Sequence, residues 1–363
     1  MRSVSFVMVA RIWLGLCEAG MAEIRKWADI EKDFIGGTIL LGNGASMAVW
    51  GEFGYKNLWR KAKDIKAFSD DVLVGVEDIC REFATWDFEY IMRLLWQASL
   101  VNNCLAISGD KTFRVYSDVR GGLIKAVRAI HPCFDDVSGY MGSMCRFLRG
   151  FDTILSLNYD LLVYWCVIQE INLFDLGRSE GHVFKDCFSG GGFDGDWRKF
   201  RNPIYGQKRC SLVFYPHGNL ALSRCKDGGE KKIHCGDYDL LDSIVKEWEG
   251  GDGMPLFVSE GLSQQKISSI HSSNYLSTVY WEVLGERRSS LVIYGWGVAE
   301  QDHHLLERMK GSGIEKVAVS VHNGDQDYIF KVENTLRRHF GHKVHLQFFD
   351  SNSPSCWIHP ESP

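Results

Sequence analysis

The sequence contains no Cys-x-x-Cys pair. Its eleven cysteines are irregularly spaced, and the closest pairs are Cys133/Cys145 and Cys225/Cys235. A zinc ribbon therefore lacks its paired ligands, and no metal site is expected. A chain of 363 residues with so low a cysteine density is not a small disulfide-stapled scaffold either. Reduced, buried thiols for most of the cysteines, and a cytoplasmic location, are the plain expectation. An excess of basic residues is also missing: 41 Lys and Arg stand against 46 Asp and Glu, for a net charge of −5. Composition thus gives no support to direct nucleic-acid binding. No transmembrane helix and no internal repeat is visible, and the only low-complexity tract is the glycine cluster at Gly190, Gly191 and Gly192.

What is present suits a folded core. The chain is 45% hydrophobic and 13% aromatic, enough for two domains or for one large domain with insertions. The opening MRSVSFVMVARIWLGLCEAG is a poor secretory leader, because Arg11 interrupts its apolar stretch and Glu18 follows. The simpler reading starts the protein at Met21 and leaves residues 1–36 as an N-terminal extension.

Short apolar runs that end in Gly or polar residues recur along the chain. Gly37–Leu41 runs into Gly42-Asn43-Gly44-Ala45-Ser46. Phe151–Leu157 runs into Asn158-Tyr159-Asp160, Leu212–Tyr215 into Pro216-His217-Gly218, and Ser290–Tyr294 into Gly295-Trp296-Gly297. Further strands are predicted at Pro255–Ser259, Lys316–Val321 and Lys343–Phe349, with helices between them. Residues 55–150 read as helical, with no alternating strand, and therefore as an insertion. Residues 175–209 read as a smaller inserted loop region, 225–237 as a hairpin tip and 351–363 as a C-terminal tail. The alternation predicts an α/β fold: a doubly wound, mostly parallel sheet with a large helical insertion. Ligands of such sheets bind beyond the carboxyl ends of the strands, where all four polar clusters fall.

Each cluster alone has a plain structural reading. Gly42–Ser46 serves as a tight turn, or as a phosphate cradle at a helix N-terminus. Asn158 and Asp160 suit a helix cap. His217 suits a buried structural histidine. Asp302 reads first as a helix cap and second as a catalytic acid, and His303-His304 as helix neighbours that point in different directions rather than as a metal site. His234 beside Cys235 lacks further metal ligands. Trp50, Trp59, Trp86 and Trp96 read as packing residues of the helical insertion.

Taken in order, GNGAS, LNYD and PHG resemble the sirtuin NAD-binding domain, which carries Gly-Ala-Gly-x-Ser, Gln-Asn-x-Asp and His-Gly. The resemblance runs from about residue 37 to about residue 310. It departs at Leu157, which replaces the Gln, at the missing Cys-x-x-Cys pairs and at the large insertions. The chain is more similar to bacterial sirtuin-like domains that hydrolyse NAD in anti-phage defence. Among these it resembles a stand-alone family with VSEGLSQQKISSI and YGWGVAEQDHHLL segments. The resemblance implies a Rossmann-like domain made of residues 37–54 and 151–350. It implies NAD glycohydrolysis, with NAD as substrate and no zinc.

By the same resemblance, His217 is the general base, and Asn158 orients the water or the ribose. Gly42, Gly44, Ala45 and Ser46 cradle the pyrophosphate, Asp160 meets the carboxamide, and Gly295 lines the adenosine side. Control by a homo-oligomer or by a HerA-type ATPase partner is implied, because a free NADase harms its own cell. The alternatives are an NAD or ADP-ribose sensor without turnover, and a deacylase or ADP-ribosyltransferase.

Overall fold

The computed structural model describes residues 21–361, except 55–57, 87, 108–109, 176–180, 205, 226, 235–238, 251–252 and 259–262. The leader at residues 1–20, Cys235 and part of the VSEGLSQQKISSI segment lie outside the described residues.

The runs Thr38–Leu41 (β2), Thr153–Ser156 (β3) and Ser290–Tyr294 (β11) are buried along their whole length. Continuous burial is what covering both faces of a parallel sheet requires. Ile24–Arg25 (β1), His182–Lys185 (β4), Arg209–Phe214 (β7), Lys316–Val321 (β12) and His345–Asp350 (β13) complete an eight-stranded sheet. Its order is β1-β13-β12-β11-β2-β3-β7-β4, and every neighbouring pair is parallel. With the edge strands β1 and β4 set aside, the remaining six follow the 3-2-1-4-5-6 order of the Rossmann sheet. The order reverses between β2 and β11, which pair from Leu291↔Thr38 to Tyr294↔Leu41.

Helices fill the connections. Trp27–Ile30 (α1) follows β1, and Asn43–Val49 (α2) follows β2. Then come Leu58–Asp64 (α3), Asp70–Glu82 (α4), Phe88–Cys104 (α5), Asp110–Ile130 (α6) and Phe134–Leu148 (α7), with no strand among the described residues before β3. Of the tryptophans in this stretch and just before it, Trp59 is buried and Trp50 donates its indole N–H to the Ile130 carbonyl (3.0 Å), but Trp86 is exposed. Leu162–Asp175 (α8), Leu240–Gly250 (α9), Ser263–His271 (α10), Asn274–Thr278 (α11), His303–Met309 (α12) and Gln326–Phe340 (α13) follow in order.

Three expectations need correction. The region 175–209 is more than a loop: its first strand, β4, pairs with β7 and extends the main sheet. Its Phe188–Ser189 (β5) and Gly192–Phe193 (β6) form a small hairpin. The strand expected near Pro255 is Gly253–Phe257 (β10), and it lies outside the parallel sheet. It pairs antiparallel with Gly218–Cys225 (β8), which also pairs with Glu230–Lys232 (β9). The terminal segments are built into the core. Trp27 packs among Phe147, Phe151 and Phe349, and buried Trp357 donates its indole N–H to the Ala45 carbonyl at 2.8 Å.

Candidate active site

The loops after β2 and β11 meet at the switch point in van der Waals contact. Gly42 N–H donates to the Tyr294 carbonyl (2.9 Å) and Gly44 N–H to the Gly295 carbonyl (2.7 Å). A Cβ on Gly44 would lie 2.8 Å from the Gly295 carbonyl oxygen, and one on Gly42 would lie 2.5 Å from Trp296 Cα. Gly295 has φ +65°, and a Cβ there would sit 2.2 Å from the Ala45 nitrogen. These glycines are required first by the approach of two backbones. The amides expected to cradle a phosphate are largely spent on this contact, since Ala45 N–H also donates, to the Gly42 carbonyl (2.9 Å).

Gly295→Ala is expected to lower the unfolding free energy by about 3 kcal/mol, the sum of backbone strain and a forced clash. Gly297→Ala, whose Cβ would meet nothing within 4 Å, is expected to be neutral. Urea midpoints of the two variants check this, and equal midpoints would mean that the two loops are not held in contact.

Behind the glycines, Ser46, Asn158 and Asp160 form one buried chain of hydrogen bonds. Asn158 Nδ2 donates to the Gly42 carbonyl (3.0 Å) and to Ser46 Oγ (2.7 Å), and the Ser46 hydroxyl donates to Asp160 Oδ2. Asp160 Oδ1 accepts the Leu162 N–H (2.9 Å) at the start of α8. Burial pushes the Asp160 carboxyl upward against these two bonds. Ser46 therefore keeps no hydroxyl proton for a phosphate, and both Asp160 oxygens already have partners. Asn158 is committed through its amide nitrogen, so the atom it can offer a ligand is the acceptor Oδ1.

The same segment is stitched to the histidine loop. Leu220 N–H donates to the Tyr159 carbonyl (2.8 Å), and Asn219 Nδ2 donates to the Asp160 carbonyl. Gly218 has φ +78°, and a Cβ there would lie 2.1 Å from the Leu256 carbonyl oxygen, so the residue after His217 must be small to let β10 pass. His217 itself is buried at the cavity wall, and its carbonyl accepts the Val258 N–H (2.7 Å).

The resulting cavity encloses about 520 Å³. Gly42, Gly44, Asn158, Asp160, His217 and Gly295 line it; Ala45 and Ser46 lie beneath. A second cavity of about 580 Å³ opens on the other side of Gly44 and Gly295. Tyr294, Ser320, His322, Asp325 and Tyr328 are among its walls, and it shares Met47, Trp296 and Gly297 with the first.

Three polar residues of the site were not expected there: Lys266, Asp302 and His304. Asp302 makes no side-chain cap for α12; its Oδ1 instead accepts from Lys266 Nζ at 2.7 Å, with Lys266 buried and Asp302 half-buried. Asp302 Oδ1 is 4.0 Å from His217 Nε2. Burial alone would raise the Asp302 carboxyl, but its neighbours His217 and the Lys266 ammonium, which donates to it, outweigh burial and hold it below its ordinary value. His304 Nε2 lies 3.2 Å from His217 Nε2, while His303 turns away toward His339. Burial, reinforced by Lys266, pushes His217 well below the usual imidazole value. His304 falls to about 4, for burial above all. Both rings are therefore neutral at pH 7.

The family described as "Domain of unknown function (DUF4917)" matches residues 39–357. The chain belongs to that family. The DUF4917 match contains every residue that lines the cavity, and His304 behind it. No curated protein matches the sequence. Among solved structures, one described as "Structural Basis for the Mechanism and Regulation of Sir2 Enzymes" is similar over 86% of this chain and 96% of that chain, at 13% identity and a TM-score of 0.33.

Proposed function

We propose that this DUF4917 chain is an NAD glycohydrolase that releases nicotinamide and ADP-ribose. The observation that carries the reading is the meeting of Asn158 and His217 in a cavity at the switch point, beside a second cavity across the Gly44–Gly295 contact. The two volumes of about 520 and 580 Å³ suit the two halves of a dinucleotide. The side-chain-free ridge between them suits a pyrophosphate that crosses from one cavity to the other. Gly42, Gly44 and Gly295 would form that ridge, with Ala45 and Ser46 supporting it from below. Asp160 would hold Ser46 and Asn158 in place and reach the carboxamide only through its cavity-facing edge.

The chemistry asks little of an acid, because the pyridinium leaves with its own bonding pair. The C1′–N bond breaks, water oxygen bonds to C1′, and the water proton passes to neutral His217. Nicotinamide, ADP-ribose and one proton are the products. Asn158 Oδ1 would accept from the attacking water or from a ribose hydroxyl and so fix its position.

Control of this activity is expected, because free NAD hydrolysis depletes the host cell. Leu58 of α3 walls the first cavity beside Phe53, and through α3 the helical insertion would report assembly or partner binding to the site. A homo-oligomer or a HerA-type ATPase in an anti-phage response, within the cytoplasm, is the setting we propose. No described helix is long and apolar enough to cross a membrane.

The test is incubation of the purified chain with NAD and chromatography of the products. Wild type is expected to yield nicotinamide and ADP-ribose in equal amounts, and Asn158→Ala at least about 100-fold less per unit time. Intact NAD that nonetheless binds, measured by calorimetry, would replace the enzyme by a sensor. Absence of binding would remove the dinucleotide altogether.

A further inference from the structure

The pair His217 and His304 carries information about where a single proton sits. His304 Nδ1 lies 3.1 Å from the Gln301 carbonyl oxygen, which can only accept. That nitrogen is therefore protonated, and a neutral His304 has its lone pair on Nε2. His304 Nε2 faces His217 Nε2 at 3.2 Å, with the ring centroids 5.3 Å apart and the planes 30° from each other. This is the head-to-head arrangement of an N–H···N bond, so the donor must be His217.

We infer that His304 is a positioning residue that holds the proton of His217 on Nε2 and leaves Nδ1 as the basic atom. The inference deepens the NAD-cleavage reading and rests on it for the role of His217 as base. In the proposed step, Nδ1 takes the water proton. The imidazolium so formed still donates from Nε2 to His304, with the Asp302 carboxylate 4.0 Å away. Among the described residues, the charged and titratable groups beside the pair are Lys266, Asp302, His303 and Tyr280. Lys266 pairs with Asp302, and Tyr280 donates from its hydroxyl to the His304 carbonyl at 3.3 Å. The Lys266–Asp302 ion pair leaves little net charge beside the rings. That arrangement also speaks against reading the two histidines and Asp302 as a metal site, because the ammonium already occupies Asp302 Oδ1 at 2.7 Å.

Nitrogen-15 NMR of histidine-labelled protein at pH 7.5 reads the tautomer directly and requires no turnover. His217→Asn and His304→Leu assign the signals. In wild type, His217 is expected to be protonated at Nε2 and His304 at Nδ1. In His304→Leu, His217 should redistribute toward Nδ1–H, and kcat for NAD cleavage should fall about 10-fold with KM within 2-fold. His304→Gln restores an acceptor oxygen and should recover most of both. A wild-type His217 protonated at Nδ1 overturns the inference, and so does an unchanged tautomer in His304→Leu. Stoichiometric Zn²⁺ that moves both ring signals and binds with micromolar affinity overturns it as well, in favour of a metal-bound pair. If the tautomers are as expected and NAD stays intact, the inferred arrangement stands and the glycohydrolase reading is what fails.

Discussion

Replacing His217 with alanine is expected to lower NAD cleavage at least about 100-fold while dinucleotide binding stays within a few-fold of wild type. The physical reason lies in how His217 is prepared. Burial, first of all, keeps the ring neutral at pH 7, so its basic lone pair is present in essentially every molecule. The ring cannot rotate freely, because Nε2 is engaged by His304 and the following Gly218 is pinned under the Leu256 carbonyl. Alanine removes the lone pair and leaves His304 Nε2 facing an empty space. The glycine contact and the second cavity are untouched, because no hydrogen bond of Gly42, Gly44 or Gly295 involves the imidazole. The discriminating measurement is therefore kcat beside the NAD dissociation constant. Loss of both together would place His217 in binding rather than in proton transfer. An unchanged rate would remove it from the reaction.

Six of the eight strands of the main sheet were legible because each is a short apolar run, four of them closed by Gly, Asn or His at the site; their order in the sheet and the edge strands β1 and β4 were not. Such runs have nowhere to lie except inside a covered sheet. The convergence of Gly42, Asn158, His217 and Gly295 followed from the rule that strand ends share one edge of a parallel sheet. The partners of these residues were not legible. Whether the Ser46 hydroxyl points at a ligand or at Asp160 is decided by a few ångströms of packing between α2 and the start of α8, which no local pattern encodes. Lys266, Asp302 and His304 stood inside two segments singled out by resemblance, but a Lys among polar residues and an Asp ahead of a helix have ordinary surface readings. Only α10 and α12 coming together turn them into a partly buried ion pair beside a histidine. Similarly, β10 has the apolar composition of a parallel strand. Its antiparallel pairing with β8 is a tertiary choice, and it closes the cavity wall at Val258.

Acid is expected to unfold the protein well before its carboxylates are exhausted. His131 is buried, and its tautomer is fixed: Nδ1 donates to the Pro132 carbonyl (2.9 Å) and Nε2 accepts the Leu161 N–H (3.0 Å). Burial pushes it down to about 4. Protonation would put a second donor against the Leu161 N–H and release the turn that carries Asn158 and Asp160. His304 also falls to about 4 and would lose its bond from His217 on protonation. In the unfolded chain both imidazoles titrate near 6.5. Their contribution to stability is therefore complete above pH 6.5 and is lost as pH falls from there toward 4. Between pH 7.5 and pH 5 the loss is about 2 kcal/mol for each, so about 4 kcal/mol for the pair. His182, also lowered to about 4, acts in the same direction. Asp160 acts oppositely, since its raised carboxyl takes up a proton more readily in the folded state, but it is one group against the four lowered histidines His131, His182, His217 and His304. A loss of this size is a large share of a typical unfolding free energy of about 5–15 kcal/mol. Urea midpoints at pH 7.5, 6 and 5 measure it. A midpoint that stays flat over that range would mean that these histidines are not held neutral, and with that the supply of an uncharged His217 for proton transfer would lose its physical basis.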